Sequence, residues 1–283
     1  MATQEDQLRQ ILSQSLSPDA TTRQNAERAL LTAQSSPGHA LAVLRVVSAG
    51  DNNNATAAAA ELLPVRQAAA VHFKNMVKKG WAPDTDDGHH SSGGGKQQHM
   101  IPESDRNLIK DNLVTLMCTV PPQLQSQCSE SIALIASTDF PSRWDNLLTD
   151  LIAKFGDGNW DVVNGVLLTA NSILKRFRYV QRSDELYADI LYVLQRMQEP
   201  LTRLFTAITV QLDEPNLANN VSELTSRLRA LRSIDRIFYS LNYQDLPEYF
   251  EDHMGEWMTG FAKLLEYKNP ALVDEDEEMQ PGE

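Results

Sequence analysis

The side chains of this 283-residue sequence that could do chemistry are few, and their spacing does not suit them to it. His89 and His90 offer two adjacent imidazoles to a metal, but they stand in a Gly/Ser-rich stretch with no further ligand at zinc-site spacing. Cys118 and Cys128 are ten residues apart, so neither a CxxC metal half-site nor a disulfide framework can be built from them. They read as small buried hydrophobes in a reducing compartment, cytosol or nucleus. Gly93-Gly94-Gly95-Lys96 has the look of a phosphate loop. It lacks the preceding strand, and Gln97 stands where a Ser or Thr would hold the metal. His72 has no nucleophile near it in sequence and reads as a packed or partly exposed helix histidine. Asp86-Asp87 and Asp184-Glu185 read as solvated or helix-start acids. No GxxxxGK[ST], HExxH or GxSxG motif occurs. The residues point to no enzyme, no cofactor and no metal, and so to a surface that binds.

What would present such a surface is helical. Leu62, Val65, Ala69, Phe73 and Met76 recur at intervals of three or four. So do Leu186, Ile190, Leu194, Met197, Leu201, Leu204 and Ile208, and again Leu224, Leu228, Leu231, Ile234, Phe238 and Leu241. Each set draws an apolar stripe down one helix face, and strand signals are scarce. Punctuation between the stripes is regular. Thr21 with Gln24 has capping-box spacing. Pro102 suits a first helical turn, and Pro121-Pro122 separates two helices. Asp139 is expected to cap the next helix with Pro141 in its first turn, Asn159 to cap another, and Ser183 to cap a long one ending near Leu212. The helices fall into pairs at 4–34, 38–80, 103–137, 142–179 and 183–242, with a lone helix at 245–267. One such hairpin cannot bury both its apolar faces, whereas stacked neighbours make a continuous core. The expected fold is therefore all-α, a HEAT-repeat solenoid of stacked antiparallel helix pairs with a concave side. Residues 84–98 read as a flexible insertion, and Asn52-Asn53-Asn54 as a second loop.

Charge narrows the partners. Twenty-five basic against 38 acidic side chains give a formal −13. Six carboxylates lie in the last ten residues, Asp274 to Glu283, which leaves −7 for the rest. Nucleic-acid binding needs an excess of clustered Lys and Arg and is not expected. No apolar run approaches the ~20 residues of a membrane span, and the N-terminus has no apolar secretory core.

Three stretches resemble a known family. Residues 22–30, TRQNAERAL, and 66–81, RQAAAVHFKNMVKKGW, resemble the first two repeats of the importin-β (karyopherin-β) superfamily of nuclear transport receptors. Residues 102–148, with PESDRNLIKDNLVTLM at 102–117 and PPQLQSQCSESIALIASTDFPSRWDNLL at 121–148, resemble its exporter branch that returns importin-α to the cytoplasm. The likeness continues through GVLLTANSILKRFRY at 165–179, SDELYADILYVL at 183–194 and ALVDEDEE at 271–278.

The resemblance implies a division of the chain. Residues 1–137 would hold repeats 1–3 with the Ran-binding region, 138–267 further HEAT repeats, and 268–283 an acidic inter-helix loop that is cut short. It implies a receptor that binds the small GTPase Ran in its GTP form together with importin-α as cargo. Nucleoporins would be further partners, and the receptor would shuttle between nucleus and cytoplasm through the pore at the nuclear envelope. The helices facing Ran would be 21–34, 64–80, 123–137 and 160–177. Asn75, Lys78 and Lys79 lie off the apolar stripe of the second of these, and Gln127 and Glu130 lie on the third; these five are the candidate Ran contacts. Lys175, Arg176 and Arg178 form a basic knot that would meet an acidic partner surface. Trp81, Phe140 and Trp144 read as packing residues. Two alternatives stay open: an import receptor of the same superfamily, and a generic HEAT-repeat scaffold.

Overall fold

The apolar stripes become helices nearly where the sequence draws them. A computed structural model of the chain describes residues 4–50, 57–82 and 100–269, and contains no strand among them. Also among them, no helix is long and apolar enough to cross a membrane. The expected insertion at 84–98, with His89 and His90, lies outside the described residues, as do Asn52–Asn54 and the acidic segment from Asp274. The chain divides into two units, Met1–Leu147 and Leu148–Glu283.

In the first unit, α1 (Gln4–Ser15) pairs with α2 (Ala20–Ala33), α3 (His39–Ser48) with α4 (Ala57–Gly80), and α5 (Glu103–Thr119) with α6 (Pro122–Asp139). α3 lies against α5 and α4 against α6, so the hairpins stack in two layers, with α1 packed on both α3 and α4. Phe73, Ile109, Met117, Leu124 and Ile132 are buried between them. Each such side chain contributes about 1.5–3 kcal/mol by leaving water. Polar anchors fix the register. Gly38 precedes α3 with φ +78°, a left-handed conformation that Gly adopts without a Cβ clash, and its amide donates to Asp105 Oδ2 on α5 at 2.8 Å. Arg66 on α4 is buried and donates from Nε to the Val47 carbonyl of α3 at 2.9 Å.

The second unit begins inside the short α7 (Leu147–Ile152). Then come α8 (Trp160–Leu174), a 3₁₀ turn (Lys175–Arg178), α9 (Asp184–Gln211), α10 (Pro215–Ala218), α11 (Val221–Asn242), α12 (Glu248–Asp252) and α13 (Met254–Glu266). α9 pairs with α11, α8 lies beside α11, and α13 packs on α9. Asn164 of α8 donates to the Ser226 carbonyl of α11 at 3.1 Å.

Several boundaries differ from the sequence expectation. α2 is capped by Asp19, whose carboxylate accepts from the Thr22 amide at 2.7 Å, so the Thr21/Gln24 box is not what opens it. α4 runs from Ala57 through Pro64 rather than starting at 64. Pro102 precedes the first turn of α5 instead of lying in it. Asp139 ends α6 and caps nothing. Its buried carboxylate is held by Lys110 at 3.3 Å and Arg143 at 3.2 Å. Residues from Pro141 therefore form turns, and the next helix starts only at Leu147. The expected lone helix begins at Glu248, because Leu246 precedes Pro247 and that position disfavours α geometry. It also breaks at His253, whose ring stacks on Tyr249 at 4.0 Å. Asn159 and Ser183 cap α8 and α9 as expected.

α13 is seated by aromatic packing. Trp257 stacks on Phe205 at 4.3 Å and lies 4.2 Å from Phe238, and its Nε1 donates to Thr202 Oγ1 at 3.2 Å. The approach is so close that a Cβ on Gly260 would fall 2.3 Å from Phe205 Cε1. Gly260→Ala must therefore displace the Phe205 ring, and overpacking of this kind costs about 1–3 kcal/mol. Thermal unfolding is expected to move down by several degrees, while Gly255→Ala, with open space around it, leaves the midpoint near wild type.

Candidate protein-binding face

The stripe on α4 is buried from Ala69 onward, with Ala69, Ala70, Phe73, Met76 and Val77 all in the core. Leu62, drawn on the same stripe, is 36% exposed. Burying Phe73 and Met76 fixes the rotation of the helix, and Asn75, Lys78 and Lys79 then all stand exposed on its last two turns. α6 lies alongside. Its Leu124, Cys128, Ile132 and Ile135 are buried, which leaves Glu130 exposed and Gln127 half-buried. Gln127 Oε1 is buried without a hydrogen-bond partner.

The two helices are joined on this face by a residue that the sequence reading missed. Lys74 of α4 pairs with Glu130 of α6 at 3.4 Å. Lys74 and Lys78 are four apart on α4, a spacing that puts them on one face and would have shown Lys74 in the sequence. The face thus carries Lys74, Lys78 and Lys79 beside the amide of Asn75, with Gln127 half-buried and Glu130 already partnered.

Beside it lies a groove of about 470 Å³ that no sequence pattern announced. Pro64, Gln67, Val71, His72 and Asn75 of α4 form one wall, and Leu12 of α1, Leu16 in the turn after it, and Glu27 and Leu30 of α2 the other. Leu16 is 51% exposed at its mouth. A largely apolar lining that carries the Gln67 and Asn75 amides and the Glu27 carboxyl suits capture of a protein loop. No group of three or more His, Cys, Asp or Glu side chains among the described residues could hold a metal.

His72 sits in the groove wall and meets His39 edge-on, with ring centroids 5.8 Å apart. Neither Nε2 has a hydrogen-bond partner. Burial, then the neighbouring His39 and Lys79, push the His72 imidazole down to about 4. Burial lowers His39 too, opposed by Asp105.

The basic knot behaves differently. Arg176 pairs with Asp189 at 2.8 Å. Arg178 donates from Nε to Ser240 Oγ at 2.9 Å and from Nη2 to the Arg236 carbonyl at 2.5 Å, and lies 4.8 Å from the Tyr239 ring centre. Both guanidinium groups thus brace the second unit from inside, and Lys175 alone of the three is exposed. Trp81, Phe140 and Trp144 are buried, as expected. Of the two thiols, Cys128 is buried and Cys118 half-exposed.

Comparison with known proteins gives this face a context. Residues 26–119 match the importin-beta N-terminal domain model and residues 173–281 the Cse1 model. Exportin-2 of Oreochromis niloticus is 38% identical over 96% of the chain, and exportin-2 of Homo sapiens 37% over the same share. The chain spans about a quarter of those relatives' length, 26% in each case. A solved structure described as the exportin Cse1 in its cargo-free, cytoplasmic state matches with TM-score 0.81 and 33% identity, over 97% of this chain and 27% of that one.

Buried His39 and half-buried His72 make stability depend on pH. The unfolded chain protonates His72 near 6.5, and the folded one only near 4. The contribution is therefore complete above 6.5 and is lost as pH falls from there to about 4. Urea midpoints of the first unit's unfolding should drop across that window, and His72→Leu should flatten the slope by about one proton.

Proposed function

The chain belongs to the importin-β superfamily on its exportin-2 (Cse1) branch, and from that premise we propose that it acts within a nuclear transport receptor that exports importin-α together with Ran·GTP. The observation that carries this reading is the 38% identity to an exportin-2 along 96% of the chain. Asn75, Lys78 and Lys79 on α4, with Gln127 and Glu130 on α6, are the Ran contacts, and the groove beside Asn75 receives an apolar side chain of the GTPase. A switch loop ordered only when γ-phosphate is present offers a different shape in its two nucleotide states. Amides in an apolar groove, with lysines exposed on the following turn of α4, can read that shape without touching nucleotide.

Cargo coupling follows from linkage. If Ran·GTP and importin-α favour the same conformation of the receptor, each raises the affinity for the other by the same factor, and hydrolysis releases both. The receptor then shuttles between nucleus and cytoplasm, with nucleoporins as its contacts in the pore.

A pull-down of the chain against Ran locked in its GTP and GDP forms tests the transport reading. Retention of the GTP form alone is the expected result, and equal retention of both, or of neither, contradicts it. Adding importin-α is expected to increase Ran·GTP retention; mutual displacement would mark an import receptor instead. Asn75→Ala with Lys78→Ala should weaken Ran·GTP binding about tenfold, or ~1.4 kcal/mol, with helicity unchanged. Unaltered affinity removes those two residues from the site.

A further inference from the structure

The second unit has a charged face for which the function proposed above gives no role. On α11, Arg229, Arg232, Arg236, Tyr239 and Tyr243 follow one another at intervals of three and four, and all five are exposed. Leu224, Ile234, Ile237 and Leu241 turn the opposite way into the core. Arg232 and Arg236 are a like-charge pair one turn apart, a spacing that destabilises a helix. Among the described residues, no ion pair engages Arg229, Arg232 or Arg236, whereas Arg227 on the same helix pairs with Glu223 at 3.8 Å and lies over the Trp160 ring at 3.9 Å. An unpaired cationic stripe in a chain of net charge −13 is a local reversal of sign.

Alongside the stripe runs a groove of about 450 Å³ between α11 and α13, with Leu228, Leu231 and Leu264 in its lining and Arg232, Arg236 and Tyr239 on its edge. The one acid lining it is Asp235, which is half-buried, with Oδ1 lacking a hydrogen-bond partner. Burial pushes its carboxyl up to about 6, and it stands alone against the two arginines of the edge. The end of the stripe is held in place. Arg178 lies over the Tyr239 ring, and Gln244 donates to the Phe177 carbonyl at 2.8 Å. Arginine and tyrosine at the edge of an apolar slot are the composition of protein recognition surfaces.

We propose that this face of α11 docks an acidic polypeptide segment, its Asp and Glu side chains pairing with Arg229, Arg232 and Arg236 while an apolar side chain enters the groove between α11 and α13. Charge complementarity selects the acidic partner, and the leucine-lined slot selects a segment that also carries apolar residues. A nucleic-acid strand would meet the same arginines, but it has no apolar side chain for the leucine-lined slot.

Fluorescence anisotropy with the full chain tests this. The probe is a short fluorescein-labelled peptide of repeating Asp-Glu-Leu. Binding that weakens as salt rises is expected. Arg232→Glu with Arg236→Glu should reduce affinity at least tenfold with an unchanged circular dichroism spectrum. Arg28→Glu with Arg45→Glu, the same charge change on exposed residues of the first unit, should leave it unaltered. A probe of repeating Asp-Glu-Ser should bind more weakly than the leucine probe. No binding, equal loss in both double variants, equal binding of the serine probe, or tighter binding of oligouridylate than of the peptide each overturns the proposal.

Discussion

A helical hairpin of this size carries apolar side chains on two faces, and its own partner helix can bury only one. The rest of the structure follows from that shortage. α4 covers one face against α3 and the other against α6, and α11 does the same with α9 and α8. Each helix is thereby pinned in rotation, because turning it by one residue would bring Phe73 or Ile234 into water at about 1.5–3 kcal/mol apiece. What is left for recognition is the narrow third face. On α4 that face carries Asn75, Lys78 and Lys79, and on α11 it carries arginines and tyrosines.

Apolar stacking alone does not set register, since leucines slide past one another at little cost. Register comes from a few buried polar links. Asp105 holds the turn at Gly38, Arg66 closes the C-terminal end of α3, Asp139 gathers Lys110 and Arg143, and Thr202 receives the Trp257 indole. Several of these side chains lie within the very motifs that make the sequence resemble transport receptors. Arg66 and Trp81 bound the second-repeat motif, and Asp139 and Trp144 fall in the third. All four are buried. The motifs thus identify a framework, and the residues proposed to touch a partner stand between them on the solvent side.

That division explains what could be read in advance. Helices were legible because burial repeats every three or four residues, and the caps at Asn159 and Ser183 were legible because the cap and its amide lie within three residues of each other. Asp139 was misread because its partner Lys110 is 29 residues away and nothing local announces the pair. The later start of the last helical segment is legible in Leu246-Pro247, but the break at His253 depends on a ring stack with Tyr249. Asn75, Lys78 and Lys79 are candidates only because the resemblance points to their helix, on which they lie off the apolar stripe. The groove beside Asn75 needs α1 and α2 as its far wall and has no signature in one helix. The basic knot shows the limit of charge reading, since Arg176 and Arg178 are engaged inside their own unit, by Asp189 and by Ser240 with the Arg236 carbonyl.

The central claim is that the exposed face of α4 and α6 is where a GTPase is read in its GTP state. Hydrogen–deuterium exchange of the chain, alone and with Ran loaded with a non-hydrolysable GTP analogue or with GDP, tests it residue by residue. The account predicts slowed amide exchange at 71–80 and 123–134 with the GTP analogue and unchanged exchange with GDP. Equal exchange in both nucleotide states, or protection confined to other helices, would contradict it.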